Sequence, residues 1–146
     1  MTSISHALIG AAIANRIHNP AAAATISFAT HFFCDAIPHW DLGTNWRLRP
    51  KIVTGTLAIV ETLIALFGTY ALFSEITPHL TLALAIIFSL LPDWLEAPYY
   101  LLLPTPPKFF YYSYKLQSYF HERLGWPLGA ITQASVVAIF LWVGFV

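Results

Sequence analysis

The sequence has little charge and almost no cysteine. Charged residues make up 10% of its 146 residues and hydrophobic residues 58%, whereas a soluble domain carries about 25% charged residues. With so few charges the chain cannot cover its surface for water. We therefore expect a single integral membrane domain, residues 1–146. The one cysteine, Cys34, excludes an internal disulfide.

A net charge and the common catalytic motifs are also missing. The formal net charge is zero, which argues against nucleic acid as a partner, because nucleic-acid-binding proteins need a basic surface. The sequence has no GxSxG, P-loop or dinucleotide-binding motif. It also lacks the basic start of a cleavable signal peptide. If the protein is an enzyme, we expect metal-assisted chemistry.

Hydrophobic runs predict an all-α fold, a polytopic membrane helical bundle. A short N-terminal helical hairpin, residues 4–17 and 21–36, precedes three long transmembrane helices at about 51–74, 79–103 and 127–146. Each short helix has roughly 15 residues, fewer than the ~20 that span a bilayer. The hairpin either stays partly inserted in the membrane or crosses it twice. The sequence therefore allows a total of three or five membrane crossings.

The distribution of basic residues predicts the orientation. One loop carries Arg47, Arg49 and Lys51, another carries Lys108, Lys115 and Arg123, and the turn at 74–78 has neither Lys nor Arg. By the positive-inside rule both basic loops face the cytoplasm. The aromatic residues of the loop at 104–126 suit an amphipathic stretch at the level of the lipid headgroups.

Four ionisable residues crowd into positions 31–41. His31 and Asp35 are four residues apart and share a helix face. His39 and Asp41 follow Pro38, where the helix should end. Two imidazoles and two carboxylates at a helix end suit a divalent metal. The simpler alternative is that Asp35 and Asp41 only cap turns.

The predicted topology brings further polar residues to the same level. The set that can meet there is His6, His31, Asp35, His39, Asp41, Asp93, Glu96 and His121. His18 and His79 fall on the opposite side. A carboxylate inside a spanning helix costs about 2.5–3.5 kcal/mol, so Asp93 and Glu96 are expected to face a polar site. A helix break at Pro92 is expected to open that site.

Four motifs carry a resemblance to a known family: Ser5-His6, the block THFFCDAIPHWD at 30–41, the LPDW segment at 91–94 and the late His121. With these motifs the sequence resembles the YdjM-like family of membrane-bound, metal-dependent hydrolases. That family is considered a distant relative of the helical, zinc-dependent phospholipase C and P1 nuclease group. The resemblance implies a bacterial inner-membrane location and these metal ligands: His6, His31, Asp35, His39, Asp41, Asp93 and His121. The family's late motif often has a second histidine that this chain lacks. One ligand is therefore either absent or replaced by Glu122.

The expected activity is hydrolysis of a lipid or lipid-linked phosphoester at the cytoplasmic interface. Zn²⁺ is the expected cofactor, with Mn²⁺ or Fe²⁺ as alternatives, because the ligands mix nitrogen and oxygen. Glu96 and Glu122 are candidate general bases. Arg47, Arg49 and Lys51 are candidates for holding a phosphate group.

Two other functions fit the same residues. The main alternative is a non-catalytic metal site with a structural or regulatory role. A transporter is the third, but a chain this short without an inverted repeat makes a poor carrier unless it forms a homo-oligomer. The sequence leaves two roles open for Glu61, either hydrogen bonding near the metal or packing between helices. Cys34 is more simply a packing residue than a ligand.

Overall fold

The computed structural model describes residues 1–102 and 104–146. In this part of the chain 76% of residues are helical and no β-strand occurs. The helices are α1 (Ser3–Arg16), α2 (Pro20–Asp35), α3 (Lys51–Leu63), α4 (Thr69–Phe73), α5 (His79–Ala97), α6 (Lys108–Phe120) and α7 (Leu128–Phe145). The all-α prediction is confirmed for the described residues.

Three helical segments are long and apolar enough to cross a membrane. They are Lys51–Phe73, His79–Leu101 and Leu128–Phe145. The first joins α3 to α4 through a π-helical turn at Ile64–Gly68. The second extends α5 into a π-helical turn at Pro98–Leu102. These segments match the three long helices predicted from the sequence.

Large apolar side chains cover the outside of these segments. Phe67 is 69% exposed, Leu72 is 71% exposed and Trp142 is 67% exposed. Soluble monomers rarely expose so much contiguous apolar surface, because water does not solvate it favourably. The exposed faces therefore suggest a membrane protein.

Helix α1 lies in the interior and most of its residues are buried. Small residues bring its neighbours close. A Cβ added to Gly10 would lie 2.9 Å from the carbonyl oxygen of Ala85 in α5, and one added to Gly144 of α7 would lie 2.7 Å from the Cβ of Ala12. Close approach of this kind maximises packing between apolar helices. Helix α1, with His6 near its start, is thus held between α5 and α7.

Helix α2 begins and ends close to where the sequence predicts. The Asn19 side chain accepts a hydrogen bond from the N–H of Ala22, and Pro20 occupies the first turn. The helix ends at Asp35, before Pro38. Its last turn therefore presents the Asp35 carboxylate beside the loop that follows.

Two predictions differ from the structure. Helix α5 runs through Pro92, so the expected break there is wrong. Proline removes one helical hydrogen bond, but α5 is packed between α1 and α2 with Leu90 and Pro92 buried, and this packing keeps the helix continuous. The stretch at 104–126, expected as a loop, contains the helix α6, Lys108–Phe120, which packs on α5.

Candidate metal centre

The seven predicted metal ligands lie together at one end of the helices. They come from α1 (His6), α2 (His31, Asp35), the loop after α2 (His39, Asp41), α5 (Asp93) and the segment after α6 (His121). These residues are far apart in sequence, and only the packing of α1, α2 and α5 brings them into one cluster. We refer to these seven residues as the His/Asp cluster.

Asp35 is the centre of the cluster and is 0% exposed. Its Oδ1 lies 3.1 Å from Nε2 of His6 and 3.6 Å from Nε2 of His39. Its Oδ2 lies 3.5 Å from Nε2 of His31 and 3.3 Å from Nδ1 of His121. One carboxylate therefore faces four imidazoles, an arrangement in which its two oxygens could serve two ions.

The ligand atoms form two groups. The members are His6, His31 and Asp93 in the first group, and Asp35, His39 and His121 in the second. Within each group the ligand atoms lie within 4.8 Å of one another. Asp41 adjoins the second group, because its Oδ2 lies 2.6 Å from Nε2 of His121 and 3.8 Å from Nε2 of His39. Each group could hold a divalent ion.

Backbone carbonyls orient two of the histidine rings. Nδ1–H of His31 donates to the carbonyl of Ser89 at 2.7 Å, and Nδ1–H of His39 donates to the carbonyl of Ile37 at 2.7 Å. A carbonyl only accepts, so in the neutral rings Nε2 carries the lone pair and faces the cluster. Nε2 of His39 lies 3.1 Å from Nε2 of His121. Nε2 of His31 is buried and lacks a hydrogen-bond partner among the described residues. A metal ion would satisfy it.

Burial and charge set the protonation of the loop residues. Burial lowers the pKa of His39 to about 4, so this ring is neutral near pH 7 and able to ligate. Burial also acts to lower the pKa of His121, but hydrogen bonds to Asp35 and Asp41 outweigh it and raise the pKa to about 9. Burial acts to raise the pKa of Asp41, yet the hydrogen bond and charge of His121 hold it well below its usual range.

A backbone pairing places His121 in the cluster. The N–H of Glu122 donates to the carbonyl of Asp35 at 2.9 Å, and the N–H of Leu124 donates to the carbonyl of His39 at 2.7 Å. The chain after α6 is thereby aligned with the end of α2. This alignment turns the His121 side chain toward the cluster.

A polar cavity of about 160 Å³ lies beside the cluster. Asp41, Asp93 and His121 lie on its wall, so both ligand groups reach it. Glu61 and Glu96 line it as well. Since a catalytic metal needs a coordination position that protein does not fill, the cavity provides the space that such chemistry requires.

Only one of the two candidate bases reaches the cavity. Glu96 lines it and accepts a hydrogen bond from the hydroxyl of Tyr100 at 3.2 Å. Glu122 has an exposed side chain and contributes backbone hydrogen bonds instead. The structure therefore places Glu96, and not Glu122, where it could accept a proton from a group in the cavity.

Two of the three basic residues predicted to hold phosphate support the loop around them. The Arg47 guanidinium lies over the Trp46 ring and donates to the hydroxyl of Tyr114 at 3.0 Å. Arg49 donates to loop carbonyls, including that of Thr44 at 3.3 Å. Lys51 is exposed at the start of α3. The structure does not bring these side chains to the cavity wall.

Sequence reasoning missed two residues of the site. Arg123 lines the cavity, and its Nε lies 3.4 Å from Oδ2 of Asp41. Gln117 of α6 is buried and donates to Oδ1 of Asp93 at 2.5 Å. Gln117 is the one amide side chain in an aromatic-rich helix. An isolated amide of this kind is a sequence signal for a residue with a buried polar partner. Arg123 carries no comparable local signal.

The remaining candidates lie outside the two ligand groups. Glu61 has a hydrogen-bonding role, because it accepts from the N–H of Ser3 at 2.8 Å at the start of α1. Cys34 is buried and belongs to neither group found among the described residues. The His18 ring, just after α1, hydrogen-bonds to the backbone carbonyl of Asn15. The His79 ring, at the start of α5, hydrogen-bonds to the hydroxyl of Tyr70. Both lie at the helix ends away from the His/Asp cluster.

Comparisons of the chain with protein-family models, with curated proteins and with solved structures find no match. Its site is therefore interpreted from its own geometry. The chain is all-helical over its described residues, has three helices that could span a membrane, and carries buried His and Asp groups that could hold a metal ion.

Proposed function

We propose that the protein is a membrane-embedded, metal-dependent hydrolase of a lipid or lipid-linked phosphoester. The observation that carries this proposal is the contact between the His/Asp cluster and a polar cavity lined by Arg123 and Glu96. It is also the activity expected for the YdjM-like family that the sequence resembles.

The cluster suits up to two divalent ions. One ion would be held by His6, His31 and Asp93, and a second by Asp35, His39 and His121, with Asp41 beside the second group. Mixed imidazole and carboxylate ligands favour Zn²⁺, with Mn²⁺ or Fe²⁺ in sites of higher coordination number. Bound ions of this kind supply Lewis acidity toward a phosphoryl oxygen and lower the pKa of a bound water to about 7.

The other cavity residues bind and orient the substrate. The Arg123 guanidinium pairs with the phosphoryl oxygens, which suit its planar set of donors. Glu96 accepts a proton from the attacking water. The Tyr100 hydroxyl, which donates to Glu96 at 3.2 Å, holds that carboxylate in place.

The basic loops support a location at the cytoplasmic face of a bacterial inner membrane. The cluster lies at the end of the helices that also carries Arg47, Lys51, Lys108 and Arg123. By the positive-inside rule that end faces the cytoplasm. The membrane lipid is then both the solvent of the protein and the source of its substrate.

A glutamine substitution at Glu96 tests the proposal. Wild-type protein in lipid nanodiscs is expected to retain divalent metal and to hydrolyse phospholipid phosphoesters. Glu96→Gln is expected to retain metal but to lose about 10²–10⁴-fold in turnover, the usual contribution of general base catalysis. Glu75→Gln is the matched control, because Glu75 is exposed in the turn at the opposite end.

The same experiment separates the enzyme from a non-catalytic metal site. The structural alternative draws support from the deep burial of the cluster, in which His6 and His31 are each 1% exposed. Metal retained by the wild type, with no turnover of lipid phosphoesters above the protein-free rate, would contradict the proposed activity and favour the structural role.

A further inference from the structure

An apolar groove of about 290 Å³ lies between α3 and the end of α5. Its walls include Gly55, Ile59 and Leu63 on one side and Trp94, Ala97 and Leu101 on the other. Both walls belong to segments that are long and apolar enough to span a membrane. The surroundings of the groove are therefore hydrocarbon.

The apolar groove adjoins the polar cavity of the metal centre. Ala58, Thr62, Trp94 and Ala97 line both spaces. At its outer side the groove reaches the surface of α3, where Ile59 is 62% exposed. The lipid-facing groove and the cavity beside the His/Asp cluster are therefore neighbours that share these four residues.

We propose that the apolar groove holds the hydrocarbon chain of an amphiphilic substrate whose phosphoester headgroup lies in the polar cavity. The identity of the headgroup rests on the proposed function. At the roughly 30 Å³ that one water molecule occupies in the liquid, the groove of about 290 Å³ has room for about ten groups of that size, enough for part of one chain. The substrate class is thus a phosphoester that places a single hydrocarbon chain in the protein.

Two adjacent residues of α3 mark the boundary between head and chain. A Cβ added to Gly55 would meet nothing within 4 Å in the part of the chain described, so this glycine leaves groove space open instead of permitting close helix contact. Thr54 is buried on the cavity wall, and its hydroxyl lacks a hydrogen-bond partner within residues 1–102 and 104–146. A headgroup oxygen would satisfy that hydroxyl.

Arg123 supplies positive charge on the cavity wall, but Asp41, Glu61, Asp93 and Glu96 lie on the same wall. An anionic head therefore binds there only when metal ions in the His/Asp cluster offset the carboxylates. Arg123 lies on the polar side, beside Asp41, whereas the walls of the adjoining groove are apolar. A phosphate group entering the groove would lose its hydration without gaining a partner. The anionic head must therefore lie at the cavity end and the chain at the groove end.

Photocrosslinking tests the groove without requiring turnover. The full chain in nanodiscs is mixed with a long-chain alkyl phosphonate that carries a diazirine in the middle of its chain, and mass spectrometry locates the crosslinks. Crosslinks are expected on the groove walls, at Gly55–Leu63 and Trp94–Leu101. Crosslinks spread evenly around the lipid-facing surfaces of α3 and α5 would overturn the proposal.

A plugged variant sharpens the test. Gly55→Phe fills the groove and is expected to lower crosslinking about tenfold, the effect of keeping about two methylene groups out of an apolar site. Val60→Phe is the matched control, because Val60 lies on the same helix, is 48% exposed and is not part of the groove wall. An equal loss in both variants would contradict the groove. Gly55→Leu repeats the test with a smaller side chain.

Turnover then separates this inference from the proposed function. Gly55→Phe is expected to lower hydrolysis of a long-chain phosphoester about tenfold more than it lowers hydrolysis of a short, water-soluble ester. An unchanged rate on the long-chain ester would overturn the groove while the hydrolase stands. Crosslinks confined to the groove in a protein without turnover would support the groove and contradict the hydrolase.

Discussion

Replacement of Asp35 by asparagine is the most informative perturbation of the His/Asp cluster. Asparagine keeps the size and shape of the side chain but loses its charge and one of its two acceptor oxygens. Asp35 is 0% exposed, and its nearest imidazole, that of His6, lies at 3.1 Å. Asp35→Asn therefore removes the charge of the proposed shared ligand with little change in volume. It also removes the ionic partner of the buried Met1 ammonium, which contacts Oδ1 of Asp35.

The expected loss can be worked out from the ligand count. Structural zinc sites with four protein ligands contribute about 10–16 kcal/mol of binding free energy, which is about 2.5–4 kcal/mol for each ligand. One ligand lost therefore lowers the affinity roughly 100- to 1,000-fold. Because Asp35 contacts members of both ligand groups, we expect Asp35→Asn to weaken the binding of both ions.

Competition against a chelator measures this effect. Purified wild type and Asp35→Asn are titrated with a chelator of known affinity, and the bound metal is quantified by mass spectrometry. His79→Ala is the control, since His79 lies at the far end of α5 and bonds Tyr70. If Asp35→Asn and wild type released metal at the same chelator concentration, the assignment of Asp35 as the shared ligand would be refuted.

Three further predictions concern the residues around the cluster and its pH dependence. Arg123→Gln is expected to weaken inorganic phosphate binding about tenfold or more, since hydrogen bonds to charged groups contribute about 1.5–3 kcal/mol. Calorimetry measures this affinity, with Arg47→Gln as a control. Equal affinities in the two variants would contradict the role of Arg123. Gln117→Leu removes the donor to Asp93 and is expected to lower metal affinity about 10- to 100-fold in the chelator assay; no change would show that this hydrogen bond does not support a ligand. Metal loading of the wild type is expected to weaken as the pH falls below about 9, because protons then compete with metal for His121, whose pKa is raised to about 9 by its hydrogen bonds to Asp35 and Asp41; loading that is constant from about pH 9 to about pH 6 would count against ligation by His121.

The helices are largely predictable because lipid imposes strict requirements on the sequence. A segment that crosses hydrocarbon must satisfy its own backbone and present apolar side chains, so Lys51–Phe73 and Leu128–Phe145 are visible as continuous apolar runs. The limits of α2 follow from Asn19-Pro20 and Pro38. The rule that a proline interrupts a helix fails at Pro92, because packing of α5 against two neighbouring helices outweighs one missing hydrogen bond.

The candidate metal ligands of the His/Asp cluster can be predicted from the sequence for a related reason. Ionisable groups are costly in an apolar helix, so each one, such as His31 or Asp93, is conspicuous in the sequence. Arg123 is not, because it lies in a polar loop where a basic residue needs no explanation. Its approach to Asp41 depends on the backbone pairing of Glu122 and Leu124 with the end of α2. That pairing joins distant parts of the chain, and no local pattern encodes it.

Anomalous diffraction at the zinc absorption edge tests the metal centre most directly. Crystals of protein purified without chelator are expected to show one or two anomalous peaks beside Asp35, with Nε2 of His31 and Nε2 of His39 about 2.0–2.1 Å from a peak, the usual zinc–nitrogen distance. A cluster without any peak at the edge of a divalent metal would contradict the metal centre and the hydrolase together.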